Sequence, residues 1–414
     1  MKITGVRAYL LSYRLPEPLK LPFHGGERTV VKRDAMLIRV TTDNGLTGYA
    51  PGPGSEKTLA AIENAAGPFL EGRTLADPDA LRVQFFAGPG AADPELRKTY
   101  CAVEVALYDL AAQARGVPMS EVLGGRVRDR IRLYSSAGMY QSPQGYAEEA
   151  ATMKGLGFTA YKMRPGLGPD QDVETMRLMR QAVGPEFDLM VDAHTWWRMG
   201  DRSYSAETVD SLARELAAHD AAWLEEPMPP DDHESYRALT AKAYLPIASG
   251  EHEPGEERFL DLIQSRSVDY VQMDVCCQGG FTMGRRLFGE IAREGLKFAF
   301  HSWGTALEIV AAAHLGICWP EPVVEWLEYP VYSTATIRSM YPFPLAAEIL
   351  AEPLDIERGE LKISRAPGLG VRVDESVIER YPWIPGPWSF FRLDSPAGTW
   401  AVTSDHSVKW DEGK

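Results

Sequence analysis

The sequence predicts an α/β protein built on a parallel (β/α) barrel, with a mixed α+β unit ahead of it. The first observation is a regular alternation of short apolar strands and helices, with strand starts at Ile131, Thr159, Asp188, Ala222, Pro246, Tyr270, Lys297 and Val323. Their spacing averages about 27 residues, enough for one strand, one helix and two loops. Strands at that pitch favour a closed parallel barrel over an open sheet. The second observation is that no GxGxxG fingerprint follows any of these strands, which argues against a doubly wound nucleotide-binding sheet. The third is a different, hairpin-like pattern in the residues before Ile131.

That first part reads as follows. Lys2 to Leu11 is a strand, and Ala35–Thr41 and Leu46–Tyr49 flank Asp43-Asn44-Gly45, a hairpin turn signal. Between them, the proline-rich stretch from Pro16 to Arg28 reads as a flexible loop. A second loop, Pro51 to Ser55, precedes a helix from Glu56. Ala102 to Arg115 is an amphipathic helix stopped by Gly116 and Pro118. Beyond Leu350 the chain is irregular and rich in Pro, Gly and Trp, too short for a core of its own. The expected units are 1–128, 129–350, and a segment 351–414 that folds back, its last dozen residues poorly ordered.

Length and composition fit this division. The 414 residues allow two or three units at about 150 residues each. Apolar residues make up 45% and charged residues 24%, ordinary values for a globular chain. A formal charge of −15 disfavours nucleic acid as a partner. No apolar run is long enough to span a membrane, and the N-terminus lacks a secretory pattern. The 4 cysteines form neither a disulfide framework nor a CxxC motif, so a reducing, cytoplasmic location is expected.

In a parallel barrel the chemistry sits at the C-terminal ends of the strands. Reading those ends gives Lys162 and Arg164, then Asp192 and His194, Glu225 and Glu226, Glu251 and His252, Asp274, His301, and Glu328. Asp192, Glu225 and Glu251 end three successive strands and should converge. Clustered carboxylates repel one another unless a cation neutralises them, and an all-oxygen set suits Mg²⁺ better than Zn²⁺. Adjacent strand residues face opposite ways, so only one of Glu225 and Glu226 can reach the metal. A zinc hydrolase is disfavoured by the absence of HxH, HExxH and GxSxG. Asp274 and His301 are rim neighbours, and a carboxylate beside an imidazole makes a general base.

These motifs resemble the enolase superfamily, specifically the mandelate racemase/muconate lactonizing enzyme group and its acid-sugar dehydratases. The resemblance rests on Ala106-Leu107-Tyr108-Asp109-Leu110 leading to Leu123-Gly124-Gly125, on Glu225-Glu226-Pro227, Gly250-Glu251, Asp274 with Gly279-Gly280-Phe281-Thr282, and His301. It implies an N-terminal capping domain to which the C-terminal segment returns, a (β/α)7β barrel, and Mg²⁺ held by Asp192, Glu225 and Glu251, with Glu226 behind them. It also implies removal of the proton α to a carboxylate, with Lys162 on the substrate carboxylate and Glu328 on the developing enediolate. Symmetric dimers or octamers are implied as well.

Two departures from the racemase pattern separate the subfamilies. Arg164 stands where related racemases carry a second lysine, and arginine is a poor proton acceptor near neutrality. It is better suited to clamp a substrate carboxylate or hydroxyls, although some relatives use an arginine as base. His194 stands where many relatives have asparagine, and matches the acid that protonates a leaving hydroxyl in several sugar-acid dehydratases. The expected activity is dehydration of an aldonate or aldarate to a 2-keto-3-deoxy acid. A racemase, epimerase or cycloisomerase of the same superfamily is the alternative. Substrate contacts are expected from His24, Arg28, Trp196, Trp197, His252, Trp303 and the Tyr49–Glu56 loop. His219, His233, His314 and His406 read as structural or solvated.

Overall fold

A long antiparallel hairpin opens the chain: β1 (Ile3–Phe23) pairs with β2 (Gly26–Thr42), from Ile3 opposite Thr42 to Phe23 opposite Gly26. This computed structural model describes residues 1–23, 26–139, 141–164, 167–193, 204–331, 343–393 and 400–403. The stretch expected to be a flexible loop is therefore mostly strand. Pro16 and Pro18 fall in a register irregularity between Arg14 and Leu19, where the ladder makes no demand on their missing N–H groups. Leu21 and Phe23 then resume the inward alternation. The turn Asp43-Asn44-Gly45 leads to β3 (Thr47–Gly52), which pairs with β2 and absorbs the start of the expected second loop.

The helix Pro94–Arg115 lies on this sheet. It begins eight residues earlier than read from the sequence: Asp93 caps it by accepting from the Glu95 and Leu96 amides, and Gly116 ends it in the left-handed region. Three of its polar residues are buried fasteners. Asp109 accepts from the Tyr49 amide at 3.0 Å and the Leu369 amide at 2.9 Å, joining the first unit to the C-terminal segment. Glu104 accepts from the Thr282 amide at 2.8 Å and pairs with Arg82. Tyr108 meets Asp79, which also takes the Thr282 hydroxyl and Arg285. Gly280 must be glycine here, because its φ is +64° and a Cβ would lie 2.4 Å from Glu104 Oε1. Much of the signature at this junction thus clamps cap to barrel.

The barrel strands are β4 (Arg130–Met139), β5 (Ala160–Arg164), β6 (Asp188–Asp192), β7 (Ala221–Glu225), β8 (Ile247–Ser249), β9 (Tyr270–Met273), β10 (Lys297–Phe300) and β11 (Val324–Pro330). They hydrogen-bond in chain order, and β11 pairs in parallel with β4 to close the ring. Each begins within one residue of the start read from the sequence. The lower interior is filled by Tyr134, Ala160, Met190, Trp223, Ala248, Tyr270, Ala299 and Trp326, all buried. It is a packed layer with no channel.

The last segment spans both units. Strands β12 (Ile356–Glu357) and β13 (Glu360–Lys362) form a small hairpin whose β13 runs antiparallel to β4, Glu360 opposite Arg132. Farther on, β14 (Ser389–Leu393) pairs with β2, and β15 (Trp400–Thr403) pairs with β14. Among the described residues no helix is long and apolar enough to cross a membrane.

Candidate active site and metal centre

Strand parity decides what the barrel presents at its upper end. Two residues beyond Ala160, Met190, Trp223, Tyr270, Ala299 and Trp326 on the same inward rows stand Lys162, Asp192, Glu225, Gln272, His301 and Glu328. Lys162 is buried at the centre: its Nζ lies 2.7 Å from Glu225, 3.0 Å from Glu328 and 3.9 Å from Asp192. Burial opposes the ammonium, but these carboxylates and Tyr134 outweigh it and hold the lysine charged. The Arg164 Nε donates to Asp192 Oδ2 at 2.7 Å, and its guanidinium stacks 4.4 Å from the Trp303 ring.

The parity also separates the adjacent glutamates. Glu225 follows Trp223 into the interior, where the indole N–H donates to it at 3.1 Å. Glu226 turns away at φ +43°, and its carboxylate meets His252 Nδ1 at 2.8 Å. Glu251 is brought inward differently. Gly250, at φ +136°, breaks the strand, and a Cβ there would lie 2.3 Å from the Gln272 carbonyl oxygen. Glu251 then faces His301 Nε2 at 3.3 Å and His252 Nδ1 at 3.6 Å.

On the other side of the imidazole, His301 Nδ1 lies 3.3 Å from Asp274 Oδ2. Asp274 is fixed in turn by the Cys276 and Cys277 amides at 2.7 and 2.9 Å. Burial disfavours the imidazolium, yet Glu251, Asp274 and Glu328 push His301 up to about 10. Glu225 is pushed up to about 8 by burial and by Asp192, Glu251 and Glu328, against the pull of Lys162.

The donor chemistry fits a divalent cation. Leaving the His301–Asp274 pair aside, the carboxyl groups of Asp192, Glu225, Glu251 and Glu328 outnumber the Lys162 and Arg164 cations beside them, and burial with this excess of acids pushes Glu225 up to about 8. Such an excess is strongly unfavourable without a counter-charge. Gln272 adds a second sign: it is fully buried, and among the described residues neither its amide N nor its amide O finds a hydrogen-bond partner. Among the described residues, Glu226, Glu251 and His252 bring ligand atoms within 4.8 Å of one another, as do Asp274, Cys276 and Glu308, whereas the expected trio Asp192, Glu225 and Glu251 is not among these groups.

The remaining expected residues divide as follows. His24, His194, Trp196 and Trp197 lie outside the described residues. Arg28 lies buried in β2, its Nε 3.3 Å from the Ser389 hydroxyl and its guanidinium 4.2 Å from the Trp388 ring. Its described contacts fasten the C-terminal segment to the cap. His314 is buried and bonds the Leu369 carbonyl at 2.9 Å. His233 bridges Glu253 and Asp261.

Sequence reading missed Glu308 and Gln278. One Glu308 oxygen accepts from the Ser302 hydroxyl at 2.6 Å, the Trp303 amide at 3.0 Å and the Gly304 amide at 3.2 Å, shaping the loop that follows His301. Burial and Asp274 push it up to about 8. A lone acid in the apolar helix Ala306–Gly316 was its available signal.

A capped parallel barrel with acids, a lysine and a His–Asp pair at its C-terminal rim defines an enolase-type enzyme. Residues 11–124 match the mandelate racemase/muconate lactonizing enzyme N-terminal domain, and residues 145–377 match the enolase C-terminal domain-like family. The chain belongs to this mandelate racemase/muconate lactonizing enzyme family of the enolase superfamily. It is 28% identical to a D-galactarolactone cycloisomerase from Agrobacterium fabrum, over 92% of this chain and 99% of that protein. It is 27% identical to a D-xylonate dehydratase from Haloferax volcanii, over 84% of this chain and 85% of the relative. The crystal structure of the 3,6-anhydro-D-galactonate cycloisomerase from Zobellia galactanivorans superposes with a TM-score of 0.78, at 28% identity, covering 92% of this chain and 99% of that one.

Proposed function

We propose that the protein is a Mg²⁺-dependent sugar-acid dehydratase, which removes the proton α to a carboxylate and eliminates the β-hydroxyl. The observation that carries this reading is the asymmetry of the site: one side offers the Asp274-backed imidazole of His301, and the other offers Arg164 tied to Asp192 at 2.7 Å. Epimerisation needs a competent base on each face of the α carbon, whereas elimination needs one base and an acid. A guanidinium held against a carboxylate keeps its proton.

In this reading Asp192, Glu225 and Glu251 hold the cation, and a dication there lowers the energy of the negative charge that builds on the substrate carboxylate. Lys162 adds a buried positive charge beside Glu225 and Glu328. His301, oriented by Asp274, accepts the α proton at Nε2. Arg164 and Trp303 form one wall and hold the substrate's polar end, and His194 delivers the proton to the departing hydroxyl. The product enol tautomerises to a 2-keto-3-deoxy acid.

A cycloisomerase is the second reading, supported by the two cycloisomerases among the similar proteins. One experiment separates the outcomes: incubation with Mg²⁺ in deuterated water against a panel of aldonates, aldarates and their lactones, followed by NMR. Dehydration yields a keto acid. Conversion to an isomer without loss of water supports cycloisomerisation, and recovery of substrate deuterated only at the α carbon contradicts both.

A further inference from the structure

The β8–β9 ladder stops below the site. Its last pair is Ser249 with Val271, after which Gly250 turns the chain toward Glu251 and β9 ends at Met273. Two groups with opposite roles are thereby hung on separate loops: Glu251 after β8, and Asp274 after β9. Each loop turns a backbone group toward the other: the Gly250 carbonyl, which accepts from the Glu253 amide at 3.0 Å and keeps a second lone pair, and the Asp274 amide.

One buried side chain bonds to both. Gln278 Oε1 accepts from the Asp274 amide at 2.8 Å, while its Nε2 donates to the Gly250 carbonyl at 2.9 Å and the Glu253 carbonyl at 3.4 Å. Gln278 sits in the π-helical turn Val275–Gly279 that Asp274 caps, so the wider turn aims its amide back across the gap. A carboxamide suits this gap, which needs one acceptor and one donor on the same group. A methionine offers neither and a carboxylate lacks the donor. We propose that Gln278 is a positioning residue, an amide cross-link that fixes the Glu251 loop against the Asp274–His301 pair in place of the ended β ladder.

The inference rests on the reading of Glu251 as a metal ligand. Its consequence is that Glu251 and the base keep one spacing, 3.3 Å between the Glu251 carboxylate and His301 Nε2. Outer partners that orient a ligand typically contribute about 10- to 100-fold in metal affinity.

The test is Mn²⁺ binding to the purified full chain without substrate, read by electron paramagnetic resonance beside thermal unfolding. Gln278→Met keeps length and bulk while deleting both hydrogen-bonding roles. It is expected to weaken Mn²⁺ binding by about 10-fold and to alter the bound-ion spectrum. A folded variant with the parent's affinity and spectrum overturns the proposal, because a role in packing alone would lower only the melting temperature. If that variant does not fold, Gln278→Glu carries the test: it keeps an acceptor for Asp274 and loses the donor to Gly250. It too should bind Mn²⁺ more weakly, and parent-like binding overturns the proposal. A parent that binds no Mn²⁺ overturns the metal reading itself, and this inference with it.

Discussion

The lower and upper halves of the barrel interior are lined by the same strands, yet they carry opposite chemistry. Below, Tyr134, Met190, Trp223, Tyr270 and Trp326 pack into an apolar layer. One inward step higher, Lys162, Asp192, Glu225, Gln272, His301 and Glu328 form a charged one. All of these but His301, whose side chain is 11% exposed, are buried, so exposure does not explain the change. The lower layer satisfies itself by packing, and Tyr134 and Trp223 stand edge-on with ring centroids 5.3 Å apart. The upper layer leaves an excess of acids and, among the described residues, a Gln272 amide without a hydrogen-bond partner, which is the form of a site that expects a ligand. The rigid layer beneath is what holds those charges in place.

This contrast sets the expected effects of substitution. The largest is His301→Asn, which should reduce turnover by about 10²- to 10⁴-fold while circular dichroism and melting temperature stay near those of the parent. Trp326→Ala acts on the other layer. It should cost about 3–5 kcal/mol in urea unfolding, as loss of a buried tryptophan usually does. Glu225→Gln should weaken Mg²⁺ binding in calorimetry beyond the roughly 10- to 100-fold of a residue that merely orients a ligand. Metal-free stability should hold in that variant, since it removes one of the crowded carboxylates. A variant from either layer that produced the other layer's effect would break the distinction.

Two histidines sharpen it through pH. His301 is raised to about 10 in the metal-free fold, so its stabilising contribution is full below about 6.5 and is lost as pH rises through 10. His314, among apolar neighbours, is lowered to about 4 by burial, so its contribution is present above about 6.5 and is lost as pH falls through 4. Melting temperatures of the metal-free protein should therefore decline at both ends. His301→Asn should flatten the alkaline limb and leave the acid limb, which is the smaller expected effect.

The barrel was legible because its signal is repetition: strand starts recur at a steady pitch, and the strand-end charges stand out against apolar runs. The same alternation places Glu225 inward and Glu226 outward, but only once Trp223 is known to face the interior. The cap was less legible. Prolines between Pro16 and Pro22 marked a loop by local preference, and the long β1–β2 pairing overrode them. Arg28 was expected among the substrate contacts because it lies in the first capping loop. Its partners, Ser389 and Trp388, lie more than 350 residues away, and a pairing of that range leaves no local trace. Gln278 was invisible for the same reason, since its role depends on where a neighbouring strand ends.

The central claim is that the upper layer gathers a divalent cation beside a base. Diffraction from Mn²⁺-soaked crystals, with anomalous scattering to locate the ion, tests it most directly. A single strong peak coordinated by Asp192, Glu225 and Glu251, next to His301, is expected. A peak held instead by Glu226 and His252, or no peak among these carboxylates at saturating Mn²⁺, would contradict it.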